Sequence, residues 1–443
     1  MTTLIIDDLP YHPDSESLMR RLAVLPDLVI LDSSNSAEGR FDILSALPLA
    51  RYSRDALRMQ PGDVAHAGDD VFAAMEKLIA PFRRKGVAEA QLAELPFQGG
   101  LIGYLGYPVL TERGAYKIVD AYFGVYCWAV IVDHQQCRCR LFFLPSCPRA
   151  TRERVFSALE QPCPAREELH LPEVTPDTSR HQYQQAFERI REYILAGDCY
   201  QVNLTQRFTA PFSGSALSAY LRLRQTGRNP FSGYLQSGDR ALLTFSPERF
   251  LQLRNQEVVT QPVKGTRPRS SDPVRDRNLA EELLASDKDR AENVMIVDLL
   301  RNDLGAVCET GSVVAGKLFD LQSFNNVHHL VSTVTGRLPR GKSAVDLLRS
   351  CFPGGSITGA PKLRAMEIIE EVEWHPRSVY CGSVFYLGFN GDMDSNITIR
   401  TLLAEQGRIH CWAGGGIVAD SEADREYTEC FDKIQWIINA LKA

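Results

Sequence analysis

Residues 200–250 write one extended segment after another. Residues 200–208 alternate apolar and polar side chains, residues 231–235 and 241–245 follow as a further pair, and Ser246-Pro247-Glu248-Arg249-Phe250 closes the run. Earlier in the chain the same habit recurs at residues 28–31, 99–107, 122–132 and 139–144. Helical patterns come separately, at 70–85, 150–160, 179–196, 276–304 and 422–441. Strands and helices that arrive in runs, without strict alternation, predict an α+β fold with antiparallel sheets and exclude a βαβ repeat. Residues 1–150 read as an N-terminal lobe, the proline- and charge-rich residues 151–177 as a connector, and residues 178–443 as the larger region.

At 443 residues the chain is long enough for a large two-lobed body. A net charge of −6 gives no electrostatic reason to bind nucleic acid or an acidic membrane. No apolar run approaches the roughly 20 residues a bilayer span needs, and no signal peptide opens the sequence. The eleven cysteines lack metal-site or paired spacing, which predicts reduced thiols and a cytoplasmic location. The partner expected is a small molecule.

Chemistry concentrates in a few stretches. Gln261-Pro262-Val263-Lys264-Gly265-Thr266-Arg267-Pro268-Arg269 sets one lysine between a proline and a glycine, which predicts a loop. Near Arg267 and Arg269, or out of water, that lysine holds its proton less tightly and becomes a better nucleophile; left in solvent it is an ordinary surface charge. Asp289 and Glu292 lie three apart in one helical pattern, Glu426 and Glu429 in another. Two such pairs make an oxygen-rich site suited to magnesium if they meet, and solvated helix faces if they do not. Residues 353–362 form a glycine-rich loop before a helix expected from residue 363, with amides able to face an anion. Ala413-Gly414-Gly415-Gly416, between a strand and an acidic helix, fits either a carboxylate nest or a tight turn. Gly336-Arg337-Leu338-Pro339-Arg340-Gly341-Lys342-Ser343 matches the letters of a phosphate-binding loop. Its context argues against that use, because the only Walker B candidate, residues 294–298, precedes the loop and reads as helix.

Taken in order, Ser246 to Phe250, the Lys264 stretch, Asp289 to Asn293, Ile296 to Leu304, the 353–362 loop and Ala413 to Gly416 resemble the chorismate-utilising enzymes over nearly the whole chain. The resemblance implies a two-lobed α+β fold with two facing antiparallel sheets flanked by helices and an active site between them. It also discriminates within the family. Anthranilate synthases carry alanine where Lys264 stands, and isochorismate and salicylate synthases carry a lysine base where Gln201 stands. Gln201 together with Lys264 implies amination of chorismate at C4 through a covalent lysine intermediate, with Glu248 as general acid.

The same resemblance implies Mg²⁺ on Glu292 and Glu429, with Asp289 and Glu426 as supporting or water-mediated ligands. It implies Arg400, read as lying in a strand over residues 396–401, on the enolpyruvyl carboxylate, with Tyr380 and the amides of Gly414, Gly415 and Gly416 beside it. Thr266, His329 and Lys433 take further substrate contacts. Ammonia is the direct nitrogen donor, and since no cysteine has a glutaminase context, a separate glutamine amidotransferase subunit is implied as heterodimer partner. The family's first lobe can also hold tryptophan, and Leu31-Asp32-Ser33-Ser34 only partly matches the pattern that does so. The readings that compete are an anthranilate synthase large component and a non-catalytic metabolite-binding subunit.

Overall fold

The computed structural model describes residues 4–33, 39–53, 70–83, 92–111, 115–227, 229–323 and 327–442. Two large sheets carry the architecture, and every strand pairing reported within them is antiparallel. The larger, of twelve strands, runs from Ile5–Leu9 at one edge through Trp128–Asp133, Val29–Asp32, Phe231–Ser237 and Arg240–Ser246. It continues to Thr401–Glu405, Arg408–Ile417 and Gln201–Pro211. The second, of ten strands, starts at Val263–Pro268 and Val327–Arg337 and passes through Arg249–Arg254 and Ser383–Gly388 to Gly100–Leu105 and Arg51–Ser53. Both sheets draw strands from residues 1–150 and from residues 178–443, so neither region completes a sheet alone.

The sequence explains why these strands sit inside. Gly100–Leu105, Ala121–Tyr126 and Trp128–Asp133 are buried at every position, as unbroken apolar runs require. Trp128, Tyr52, Tyr126 and Phe123 are among the largest fully buried side chains. Phe123 stacks on Tyr52 with ring centroids 4.7 Å apart. The two sheets are pinned to each other by Arg240, whose guanidinium donates to the Tyr104 hydroxyl at 2.9 Å and to Asp120 at 2.6 and 2.8 Å.

Helix boundaries follow their caps. Ser179 and Gln182 form a capping box that starts Arg180–Leu195, and Gly197, at φ +83°, follows its end. The expected helix at 70–85 is shorter: Asp70 caps Val71–Ile79, Pro81 turns the chain into a 3₁₀ segment, and residues 84 and 85 lie outside those described. The pattern at 276–304 is two helices, Pro273–Ala285 and Asp287–Gly305. Ser286 separates them with extended backbone, its Oγ accepting from Asp289 N. A lone serine carries no breaker signal of the proline or glycine kind, which is why the pattern reads as continuous. The last helix, Ala423–Lys442, lies where expected.

Three further expectations are corrected. Lys264 lies in a strand, Val263–Pro268, and not in a loop; the glycine beside it makes a bulge in the pairing with Val327–Arg337. Arg400 does not lie in a strand. Its backbone, at φ +51°, forms the corner between Met393–Asn396 and Thr401–Glu405. Gly414 to Gly416 form no turn, since the strand Arg408–Ile417 runs straight through them. The phosphate-loop look-alike is also accounted for: Ser343 caps Ala344–Cys351, and its backbone N–H donates to Asp346 at 2.8 Å. Among the described residues no helix is long and apolar enough to cross a membrane.

Candidate active site

The site forms where the strand Gln201–Pro211 of the larger sheet and the edge strand Val263–Pro268 of the smaller one both reach Ser356, through Asn203 and Lys264. The bulge at Gly265 (φ +80°) sets the aim of its neighbours, Lys264 and Thr266. Only glycine fits there, because a Cβ would meet Leu283 Cδ1 at 2.8 Å and Asp289 Cβ at 3.1 Å. Lys264 is partly open to the cleft, yet protein surrounds its amine closely enough that desolvation lowers its pKa. Its Nζ donates to the Ser356 carbonyl at 3.5 Å. The nearby arginines are not the cause of its perturbation. Arg267 pairs with Glu282 at 2.7 Å and Asp289 at 3.3 Å, and Arg269 pairs with Asp276 at 2.8 Å.

Glu248 leaves the strand Arg240–Ser246 and enters the site almost fully buried. Desolvation raises its pKa to about 7, against the opposing effects of a hydrogen bond from Ser356 and the charge of Lys264. Ser356 Oγ donates to Glu248 Oε1 at 2.6 Å. Gln201 is fully buried; its Nε2 donates to Asn203 Oδ1 at 3.2 Å, and its Oε1 is buried with no hydrogen-bond partner among the described residues.

The two carboxylate pairs face the same space. Glu426 Oε1 accepts from Ser421 Oγ at 2.7 Å, and Glu429 pairs with Lys433 at 2.5 Å. Lys433 Nζ also donates to the Gly414 carbonyl at 2.8 Å. Burial raises the pKa of Glu292, whose proton affinity the charges of Lys264, Asp289 and Glu429 also influence. All four carboxylates therefore sense one another or Lys264. Among the described residues, however, no three His, Cys, Asp or Glu side chains converge tightly enough to chelate an ion. The donor set, oxygen only and acidic, is the kind magnesium takes, with waters and substrate oxygens completing the shell.

The three glycines earn their place by proximity. A Cβ on Gly415 would come within 3.0 Å of Glu426 Oε2 and 3.5 Å of Glu429 Oε1. On Gly414 it would overlap the Leu204 carbonyl, and on Gly416 the Gln201 amide. The strand can lie this close to the acidic helix and to Gln201 only without side chains.

At the other side, Arg400 donates to Asn229 Oδ1 at 3.4 Å and has no carboxylate partner among the described residues. Desolvation lowers its pKa, opposed by Tyr380. Tyr380 is buried and stacks on Trp412 with an interplanar angle of 10°. His329 is held neutral, its pKa lowered to about 3 by burial and then by the charge of Arg400. Its Nδ1 lies 2.9 Å from Thr266 Oγ1, which ties it to the Lys264 strand.

Four residues of this site escape motif reading. Ser356 and Asn203 link Gln201 to Glu248, while Arg377 and Glu373 clamp them. The Arg377 guanidinium donates to the Ile357 and Asn203 carbonyls, both at 2.8 Å, and pairs with Glu373 at 2.7 Å. The 353–362 loop thus differs from the anion cradle expected. It turns carbonyls and the Ser356 hydroxyl inward, and Lys362 donates back to the Cys351 and Pro353 carbonyls and to Asp303. In the first lobe, Asp32 pairs with Arg224 and accepts from the Tyr220 hydroxyl at 2.8 Å; Ser34 lies outside the described residues.

A buried amine, a carboxylic acid near neutral pKa, paired carboxylates and a desolvated arginine, set between two antiparallel sheets, define an enzyme that rearranges a small anionic substrate. Residues 48–439 match the model of the chorismate binding enzymes, and the chain belongs to that family. It is 43% identical to aminodeoxychorismate synthase component 1 of Escherichia coli (strain K12), covering 97% of this chain and 96% of that one. It is 37% identical to anthranilate synthase component 1 of Thermus thermophilus, over 88% and 86% of the two chains. The crystal structure of anthranilate synthase component I from Streptococcus pneumoniae superposes with a TM-score of 0.78 at 32% identity, covering 91% of this chain and 93% of that one.

Proposed function

We propose that this chain is the synthase component of an aminodeoxychorismate synthase, converting chorismate and ammonia to 4-amino-4-deoxychorismate for para-aminobenzoate synthesis. The observation that carries the reading is Lys264, a desolvated amine whose nearest polar contact is a neutral carbonyl, across Ser356 from the acid Glu248. The neutral amine attacks C2 of chorismate. Both ring double bonds shift, from C1=C2 to C1=C6 and from C5=C6 to C4=C5, the C4–O bond breaks, and Glu248 delivers its proton so that water leaves. Ammonia then bonds to C4, both double bonds return to C5=C6 and C1=C2, and the C2–N bond breaks with its electrons going back to Lys264. The proton shed by the incoming nitrogen is available to ionised Glu248. Two displacements retain the configuration at C4.

Arg400, with no acidic partner among the described residues, takes the enolpyruvyl carboxylate in a bidentate grip, and Tyr380 backs it. His329, neutral, offers hydrogen bonds without charge, and Thr266 orients it. Glu292 and Glu429 would hold magnesium, with Asp289 and Glu426 in support, and the ion would supply positive charge to offset the ring carboxylate. The names of the relatives, each a "component 1", support a separate glutamine amidotransferase partner. Eleven free cysteines fit a reducing cytoplasm.

The test is direct: chorismate, Mg²⁺ and ammonium, with products read by mass spectrometry. Wild type yields aminodeoxychorismate, and Lys264→Ala yields none while keeping its fold. Fluorescent anthranilate as the main wild-type product, or an undiminished rate in Lys264→Ala, refutes the reading.

A further inference from the structure

We propose that Ser356 is the positioning residue of this site. It holds the carboxyl of Glu248 with its hydroxyl, receives the amine of Lys264 on its carbonyl, and is locked through Asn203 to Gln201. The argument begins with geometry. Ser356 is buried, and its two polar groups point at the two groups that must act together: Oγ lies 2.6 Å from Glu248 Oε1, and its carbonyl O lies 3.5 Å from Lys264 Nζ. A third bond fixes the peptide itself, Asn203 Nδ2 donating to the same carbonyl at 3.1 Å. Asn203 is in turn held by Gln201 Nε2 on one side and by the Arg377 guanidinium on its backbone carbonyl.

Each contact has a chemical consequence. With the serine donating to Oε1, Oε2 is the oxygen left to carry the acidic proton, so the direction of delivery is fixed. An amine that donates one N–H to a carbonyl keeps its lone pair clear of that carbonyl, available on another side for attack. A hydroxyl donated to a carboxylate also favours its ionised form. Ser356 thus opposes the burial that holds Glu248 protonated and keeps its titration near neutrality. The other titratable groups that face Glu248 are Lys264 and the buried Cys381 thiol, and beyond Lys264 lie Glu292, Glu429 and Lys433.

The chain of bonds also gives position 201 a route to the chemistry. Gln201 is closely packed, because Gly416 lies against its side-chain amide, and the one hydrogen bond of its side chain among the described residues leads through Asn203 to Ser356. The residue at 201 thereby acts on the aim of the acid and the amine.

The inference rests on the roles assigned to Glu248 and Lys264, and its test is chosen to stand apart from them. Infrared difference titration of the free protein, referenced to Glu248→Gln, reads the protonated carboxyl band of Glu248. In Ser356→Ala its midpoint is expected to rise by roughly one pH unit, and turnover of chorismate with ammonium to fall roughly ten- to hundredfold. Ser356→Cys, which keeps the size and a weak donor, falls between, and it is read alone if the alanine variant does not fold. A midpoint that stays in place in the folded variants overturns the proposal even if the rate drops, since a merely structural serine would give that result; an unchanged rate overturns it as well. The midpoint does not depend on the product made, whereas failure of wild type to form aminodeoxychorismate counts against the reaction alone.

Discussion

Replacing Gly265 by alanine tests whether the bulge beside Lys264 is what aims it. The cost has two parts. An L-residue in left-handed backbone pays about 1–2 kcal/mol, and the new methyl, 2.8 Å from the buried Leu283 side chain and 3.1 Å from Asp289, adds about 1–3 kcal/mol of overpacking. For a chain of 443 residues, with unfolding entropy near 2 cal/mol/K per residue, a loss of about 2–5 kcal/mol lowers Tm by about 2–5 °C. Activity should suffer more than stability. Relief of the clash displaces the bulge, Asp289 or both, and a shift of about 1 Å at a reacting atom costs on the order of a hundredfold in rate. Gly311→Ala is the control, because Gly311 has the same φ of +80° and nothing within 4 Å of a Cβ. It should carry the backbone cost alone and keep full activity. Thermal unfolding and a steady-state assay with chorismate and ammonium, run on both variants, decide the matter. Gly265→Ala with a wild-type rate, or with a rate no lower than that of Gly311→Ala, refutes the claim that the bulge aims the lysine.

Three other expectations follow from the charges. Because Glu248 titrates near 7 and must be protonated to act, the pH profile of kcat/KM carries a limb close to pH 7 that the much slower Glu248→Gln lacks; a flat wild-type profile from pH 6 to 8 refutes this. The same raised pKa makes a stability contribution that is full below the ordinary carboxylate value of 4.5 and is lost as pH rises through about 7, which urea unfolding at pH 5 and pH 8 can read. Glu292→Gln and Glu429→Gln should each weaken Mg²⁺ binding, measured calorimetrically with chorismate present, by roughly tenfold or more; wild-type affinity in both variants refutes the assignment.

How much of this was legible in the sequence follows from how far apart the interacting atoms lie along the chain. Short-range signals were sufficient for most strands, for the helix over 179–196, and for the two carboxylate pairs, since spacing of three on a helix fixes a shared face. Lys264 and Glu248 were singled out through motif order, and the structure brings both to Ser356. Backbone conformation was less visible. Nothing local marks Arg400 as left-handed, because the corner is imposed by pairing on either side, with Phe245 N donating to its carbonyl at 3.1 Å. The glycines at 414–416 looked like turn chemistry, and the neighbours that demand them, Leu204, Glu426 and Gln201, come from other elements. Ser356 was hidden for the same reason: its partner Glu248 is 108 residues away, and a loop rich in glycine suggests amides turned inward when carbonyls are.

The charge pattern explains why a single lysine here can be a nucleophile. Arg267 and Arg269, adjacent in sequence, are each engaged by carboxylates on the helical side, so they neither repel nor replace Lys264 in the cleft. Lys433 is tied to Glu429 and to the Gly414 carbonyl. His329, kept neutral, adds no positive charge. Of the remaining basic groups, Arg400 is desolvated and without an acidic partner among the described residues, and the Lys264 amine meets a carbonyl and not a carboxylate, while the charge of Lys288 acts on Glu292 and Glu426. A direct ion pair would hold the lysine protonated and its lone pair blocked. Burial against a neutral acceptor favours the free amine, while Arg400 supplies the fixed charge that the proposed reaction uses to bind substrate. In the proposed reaction, binding thus falls to the Arg400 cation and nucleophilic attack to the neutral amine of Lys264, and each can be tuned without loss of the other.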